Sequence, residues 1–421
     1  MDSGDTAWML VSSALVMLMT PGLALFYGGL ARSKNVLGTI MQSFFMLGII
    51  SLQFVIIGFS LAFGPDQGGL IGNFDWAFLR HVTASEPSPY AATIPASAYM
   101  IFQLMFAVIT PALITGAFAE RAKFSTFVVF MLLWATLVYD PVAHWVWSLG
   151  GWLGSFPEAN GDVGLKAIDF AGGTVVHVNA GIAGLVAAIM LGRRVGFGRE
   201  AFTPHSMTMT MIGASLLWVG WFGFNVGSNL EATGLAAMAF INTFVATAMA
   251  AISWMLAEWI FRGKPSMLGA ASGAVAGLVA ITPACGFVGP VGAIIIGLVV
   301  SPLCYFFVAK VKSMFGYDDS LDVFGVHCIG GIFGAIATGI FVNPALGGTG
   351  VYDYVANAAA PYSSAQVVSQ VWAVGTSLVW SAVVAAISLI IVRVVVGLRV
   401  SQDVEREGLD VNEHGEPAYH F

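Results

Sequence analysis

Eleven stretches of the chain, approximately residues 7–30, 36–62, 96–119, 125–147, 170–191, 208–227, 232–256, 267–284, 291–308, 323–342 and 371–392, are apolar over nearly their whole length. Each approaches the roughly 20 residues that an α-helix needs to cross a ~30 Å hydrocarbon core. In hydrocarbon every backbone N–H and C=O must be satisfied within the structure, so runs of this kind read as helices. The expected fold is an all-α polytopic membrane protein with eleven transmembrane helices. Composition agrees: 58% of residues are hydrophobic, 9% are charged, and the mean hydropathy is +0.85.

Lys and Arg orient such a bundle, because positive residues in short loops stay on the cytoplasmic side. Arg32, Lys34, Arg121, Lys123, Arg193, Arg194, Arg199, Arg262, Lys264, Lys310, Lys312, Arg393, Arg399 and Arg406 fall in alternate connections or in the C-terminal tail, and only Arg80 and Lys166 fall in the other set. This division of 14 to 2 predicts the N-terminus outside and the C-terminus inside. Basic residues spread as topological markers, in a chain of net charge -7, give no nucleic-acid surface. The opening "MDSGDTAW" carries two aspartates where a signal peptide would carry Lys or Arg, so either the first helix inserts uncleaved or a signal has already been removed. Cys285, Cys304 and Cys328 show no CxxC spacing and read as small buried hydrophobes.

An internal repeat surrounds the two histidines that lie deep in the spans. "HVNAGIAG" begins at His177 in the fifth span and "HCIGGIFG" begins at His327 in the tenth. Both read His-x-x-x-Gly-Ile-x-Gly, and positions i, i+4 and i+7 share one helix face. Five spans per unit is odd, so the second unit must cross the bilayer inverted relative to the first. The halves are expected at about 7–191 and 208–342, with a last helix at about 371–392. Residues 1–396 would form one transmembrane domain and 397–421 a cytoplasmic tail. Glycine on the histidine faces lets the two helices approach closely, bringing His177 and His327 together near the midplane.

A single membrane histidine is as readily a core residue bonded to a carbonyl as a functional one. Two at equivalent repeat positions favour a pathway. His81, His205, His414 and His420 lie in loops or the tail, and His144 is near the outer end of the fourth span. No further carboxylate cluster joins the deep pair, so no metal is expected, and a bis-histidine haem is the weaker alternative. Asp169, just before the fifth span, is expected to cap it by accepting from the N–H of Ala171 or Gly172. Asn343-Pro344-Ala345 spells a water-channel triplet, but it occurs once and reads as a loop turn. The potassium-filter sequence TVGYG is absent.

Four segments then carry a specific resemblance. "DFAGGTVVHVNAG" from Asp169, "GWFGFNVGSN" from Gly220, "YDDSLDVFGVHCIGG" from Tyr317 and the tail "EREGLDVNEHGEPAY" from Glu405 are similar to the signatures of the Amt/Mep/Rh ammonium transporter family, Amt branch, over nearly the whole chain. The resemblance implies a transporter, not an enzyme, that needs no cofactor. It implies that His177 and His327 are the twin pore histidines. Trp147, Phe106 and Ser228 would form an outer ammonium site supported by Asp169, and Phe106 and Phe224, with Phe102 beside them, would close the pore below it. Faces of Trp and Phe can replace part of a small cation's hydration by cation–π attraction, and a Ser oxygen can accept one N–H bond. Below them, ammonia would cross a path whose polar features are the imidazoles, a pair expected to be neutral. The resemblance further implies a homotrimer in the plasma membrane, or the inner membrane of a Gram-negative cell, regulated by a cytoplasmic PII-type protein. The alternative function is an ammonium sensor that signals through its tail with little flux.

Overall fold

The computed structural model describes residues 1–157, 164–353 and 356–420. Among these, ten helices are long and apolar enough to cross a membrane. They are α1 (Ser3–Leu30), α2 (Ser33–Phe63), α3 (Ala96–Phe118), α4 (Phe124–Trp147), α5 (Gly173–Leu191), α6 (Met207–Gly227), α7 (Gly234–Arg262), α9 (Pro290–Phe315), α10 (Phe324–Phe341) and α11 (Ala365–Val395). The stretch expected as the eighth span is a shorter apolar helix, α8 (Met267–Ile281). Ser266 starts it by accepting from Gly269 N–H. Pro283 follows its end, and a proline has no backbone N–H with which to extend the helical ladder. Its 15 residues rise only about 22 Å.

Several helices depart from uniform α geometry at defined places. π turns occur at Phe54–Gly58 in α2, Ala135–Tyr139 in α4, Gly173–Val178 in α5, Phe307–Val311 in α9 and Phe324–Cys328 in α10. Such turns recur at functional sites. His177 and His327 each sit in one of them, so the repeat visible in the sequence extends to the backbone.

The same internal symmetry governs packing. α1 lies along α6, and α5 crosses α10. The glycines four residues after the histidines make the second approach: a Cβ on Gly181 would stand 2.4 Å from Cys328 N, and one on Gly331 would stand 3.0 Å from His177 Cβ. Each repeat thus supplies the small residue that admits the other.

Two short tail helices, α12 (Gln402–Glu407) and α13 (Leu409–His414), lie against the bundle at the start of α2 and α4. Asp410 accepts from Leu37 and Gly38 N–H, and Glu413 accepts from Phe124 N–H. Carboxylates at helix N-termini satisfy orphan donors and oppose the helix dipole favourably. On this tail face Arg194 bonds both Glu120 and Asp318 at 2.8 Å, and Arg32 reaches Glu120 at 3.0 Å. Asn343 accepts from Ala345 N–H in a short 3-10 turn, so the water-channel triplet is a loop turn.

Candidate functional site

The first turn of α5 is built around Asp169. Its carboxylate accepts from the N–H groups of Gly172, Gly173, Thr174 and Val175 at 2.7–3.2 Å. Ala171, one of the two donors expected from the sequence, is not among them. Gly172 turns the chain with φ +114, in the region that glycine enters without strain, and this aims the next three N–H groups inward. Asp319, eight residues before His327 as Asp169 is eight before His177, accepts from Val323 and Phe324 N–H at the start of α10. That second cap was readable from the spacing alone.

The two caps deliver the histidines to one point. His177 Nδ1 faces His327 Nδ1 at 3.4 Å, with ring centroids 5.4 Å apart and planes inclined by 23°. Both rings are buried. Two Nδ1 atoms can share only one proton, so one ring donates and the other accepts. The donor ring then bears a bare Nε2, while the acceptor ring carries its proton on Nε2. Nε2 of His177 is buried with no partner. The Nδ1 atoms leave no gap for a haem between them. Among the described residues, no group of three or more His, Cys, Asp or Glu could hold a metal ion.

Aromatic rings close the space above. Trp221 stacks on His177 at 5.4 Å and is fixed by donating from Nε1 to Thr282 Oγ1 at 2.8 Å. Although it belongs to the "GWFGFNVGSN" segment, Trp221 was not among the expected site residues. Phe224 lies 6.0 Å from the His177 ring and stacks on Phe106 with centroids 4.1 Å apart. Phe102 meets Phe106 edge-on at 5.0 Å, and Trp147 does so at 5.9 Å. Trp147 Nε1 donates to the backbone carbonyl of Asp169 at 2.9 Å. Asp169 therefore holds the indole through its main chain, and its carboxylate serves the helix. Ser228 Oγ donates to Phe224 O at 2.8 Å, leaving its oxygen able to accept.

Three cavities follow one another past these groups. A vestibule of about 540 Å³ is lined by Phe102, Phe106, Trp147, Asp169 and Ser228. A chamber of about 10 Å³, bounded by Leu113, Trp221, Phe224, His177 and His327, lies beyond the stacked rings. A second vestibule of about 380 Å³ begins at Phe26, Val275 and His327, which it shares with the chamber, and reaches Arg194 and Lys312 on the tail face. The arrangement offers aromatic faces and one hydroxyl to a small cation in the first vestibule, then an apolar passage whose polar groups are two imidazoles.

Known proteins share this architecture. The sequence profile of the Ammonium Transporter Family matches residues 7–419. The chain is 48% identical to the ammonium transporter of Bacillus subtilis, covering 100% of this chain and 99% of that one. It is 43% identical to ammonium transporter Amt1 of Archaeoglobus fulgidus over the full length of both. Among solved structures it resembles Mep2 of Saccharomyces cerevisiae, with a TM-score of 0.85, 34% identity, and coverage of 96% and 88%. It also resembles a protein titled "Sensor Amt Protein", with a TM-score of 0.87, 28% identity and 98% coverage of each chain. The match across the chain, together with the resemblance in sequence and fold, shows that this protein belongs to the ammonium transporter family.

Proposed function

We propose that the protein carries ammonium across the membrane, binding the cation at Trp147, Phe106 and Ser228 and passing it inward as ammonia. The observation that carries this reading is the alignment of two vestibules with a buried chamber, interrupted by the Phe106–Phe224 stack and containing His177 and His327. An ammonium ion in the chamber would be an unpaired charge in an apolar space, at a cost of many kcal/mol. Splitting NH₄⁺ into NH₃ and H⁺ above the chamber removes most of that cost. Ammonia then accepts from one imidazole N–H and donates to the other ring's bare nitrogen. Potassium and sodium have no proton to give up and stay outside. The proton either returns to the outer side or is relayed through the histidines, and charge movement per ammonium separates the two.

In this reading α8 completes eleven crossings and the tail face is cytoplasmic, as the division of Lys and Arg supports. Three copies assemble in the plasma membrane, or the inner membrane of a Gram-negative cell, and a PII-type protein docks on the tail face. Ammonium-driven flux into vesicles containing the purified protein tests the reading directly. The likeness to a protein titled as a sensor favours a second reading, ammonium sensing with little flux. Ammonium binding at Trp147 without measurable flux in the same vesicles would select it.

A further inference from the structure

One acidic side chain lies deep in the helices and lines none of the three cavities. Asp140 stands seven residues before the end of α4, about 10 Å below Trp147 along the helix. It is fully buried. Its Oδ2 accepts from Gln53 Nε2 at 2.8 Å, and the second N–H of that amide goes to Thr136 Oγ1 at 3.1 Å. Two buried oxygens remain without a partner, Asp140 Oδ1 and Gln53 Oε1.

Among the described residues, no Lys, Arg or His forms an ion pair with the carboxyl. α2 carries only Lys34, at its far end; α3 carries no charged residue, with Tyr99 as its titratable group. α5 offers His177, engaged with His327, and α11 offers Arg393 close to its end. On α4 itself, Tyr139 is neutral, and His144 is held by Ala62 O and by the Asp66 carboxylate at 2.7 Å. An ionised Asp140 would be an uncompensated charge, and it would leave Gln53 Oε1 unbonded as well.

A proton on Oδ1 resolves both deficits. It removes the charge and gives Oδ1 a hydrogen to donate, and Gln53 Oε1, on the amide that already bonds Oδ2, is the buried acceptor left without a partner. The backbone is shaped at this point in both helices: the α2 π turn begins directly after Gln53, and the α4 π turn ends directly before Asp140. We propose that Asp140 and Gln53 form a proton-binding site inside the bundle, separate from the pore, which holds Asp140 as the neutral acid and ties α2 to the helix bearing Trp147.

Infrared spectroscopy of the full chain in lipid at pH 7 tests this. The difference between wild type and Asp140→Asn should contain the C=O stretch of a protonated carboxylic acid, sensitive to deuteration and lost in the variant. Gln53→Leu keeps the acid but removes its partner, so the same band should move to higher frequency. That comparison needs only wild type and Gln53→Leu, and it decides the matter if Asp140→Asn fails to assemble. Carboxylate stretches in place of the acid band, or an acid band unmoved in Gln53→Leu, would overturn the proposal.

Discussion

His177 and His327 stand 150 residues apart in the chain, yet their Nδ1 atoms face each other at 3.4 Å. The contact depends on two carboxylate-capped helix starts, two π turns and two glycines placed four residues after the histidines. A binding site between two inverted repeats is common among transporters.

The outer cage should govern recruitment. Trp147→Leu removes the indole that closes on Phe106, and Ser228→Ala removes the hydroxyl acceptor. A cation–π loss of about 0.5–2 kcal/mol corresponds to a roughly 2- to 30-fold rise in half-saturation for ammonium. Concentration-dependent uptake, normalised to assembled protein, checks this, and unchanged half-saturation in both variants would remove the outer-site assignment.

The helix crossing should tolerate no side chain at Gly181. Alanine there would press on Cys328 N, and overpacking of this kind typically costs about 1–3 kcal/mol. Gly48, with open space around its Cβ position, is the matched control. Thermal unfolding in detergent should show a lower midpoint for Gly181→Ala and little change for Gly48→Ala.

Arg194 should be a stability residue with an acid signature. Burial pushes the Asp318 and Glu120 carboxyls up, but the Arg194 guanidinium outweighs it, and Arg32 adds to the effect at Glu120; both end below their ordinary values. Carboxyls lowered in the folded state stabilise it above about pH 4, and the contribution is lost as pH falls through their folded values. Arg194→Met leaves both buried carboxylates short of a partner, a loss of about 3–5 kcal/mol for a broken buried pair. The defect should be largest at neutral pH and shrink on acidification; a pH-independent defect would contradict the ion-pair account.

The distribution of Lys and Arg predicts the topology. A reporter fused after Phe421 should be cytoplasmic, and Gly68→Cys should react with an impermeant maleimide added outside. Labelling of that cysteine only from the cytoplasmic side would reverse the assigned orientation.

Much of this was legible in the chain itself. Apolar run lengths gave ten of the long helices, because in hydrocarbon length and hydropathy leave the backbone little choice. Paired His-x-x-x-Gly motifs brought His177 and His327 together because a helical period places the small residue on the histidine face. The π turns were not legible, since one wider turn inside an apolar run leaves the run's length and hydropathy unchanged. Nor was the brevity of α8, where Pro283 ends the helix and packs against Gly173. Asp140 was not legible either, because it is a lone carboxyl whose partner, Gln53, lies 87 residues away in the chain.

Current measurement on the histidine variants tests the central claim most directly. Replacing either imidazole by Ala leaves its partner with an unmade buried hydrogen bond, at about 1–3 kcal/mol, and widens the chamber of about 10 Å³ that both rings line. Ammonium and potassium currents should be recorded on vesicles carrying wild type, His177→Ala, His327→Ala and His177→Glu, each normalised to correctly assembled protein. In the Ala variants, proton-coupled current is predicted to stop or potassium to pass, whereas His177→Glu should retain flux with an altered pH dependence. Wild-type selectivity and normal current per assembled molecule in both Ala variants would contradict a pore that runs past His177 and His327.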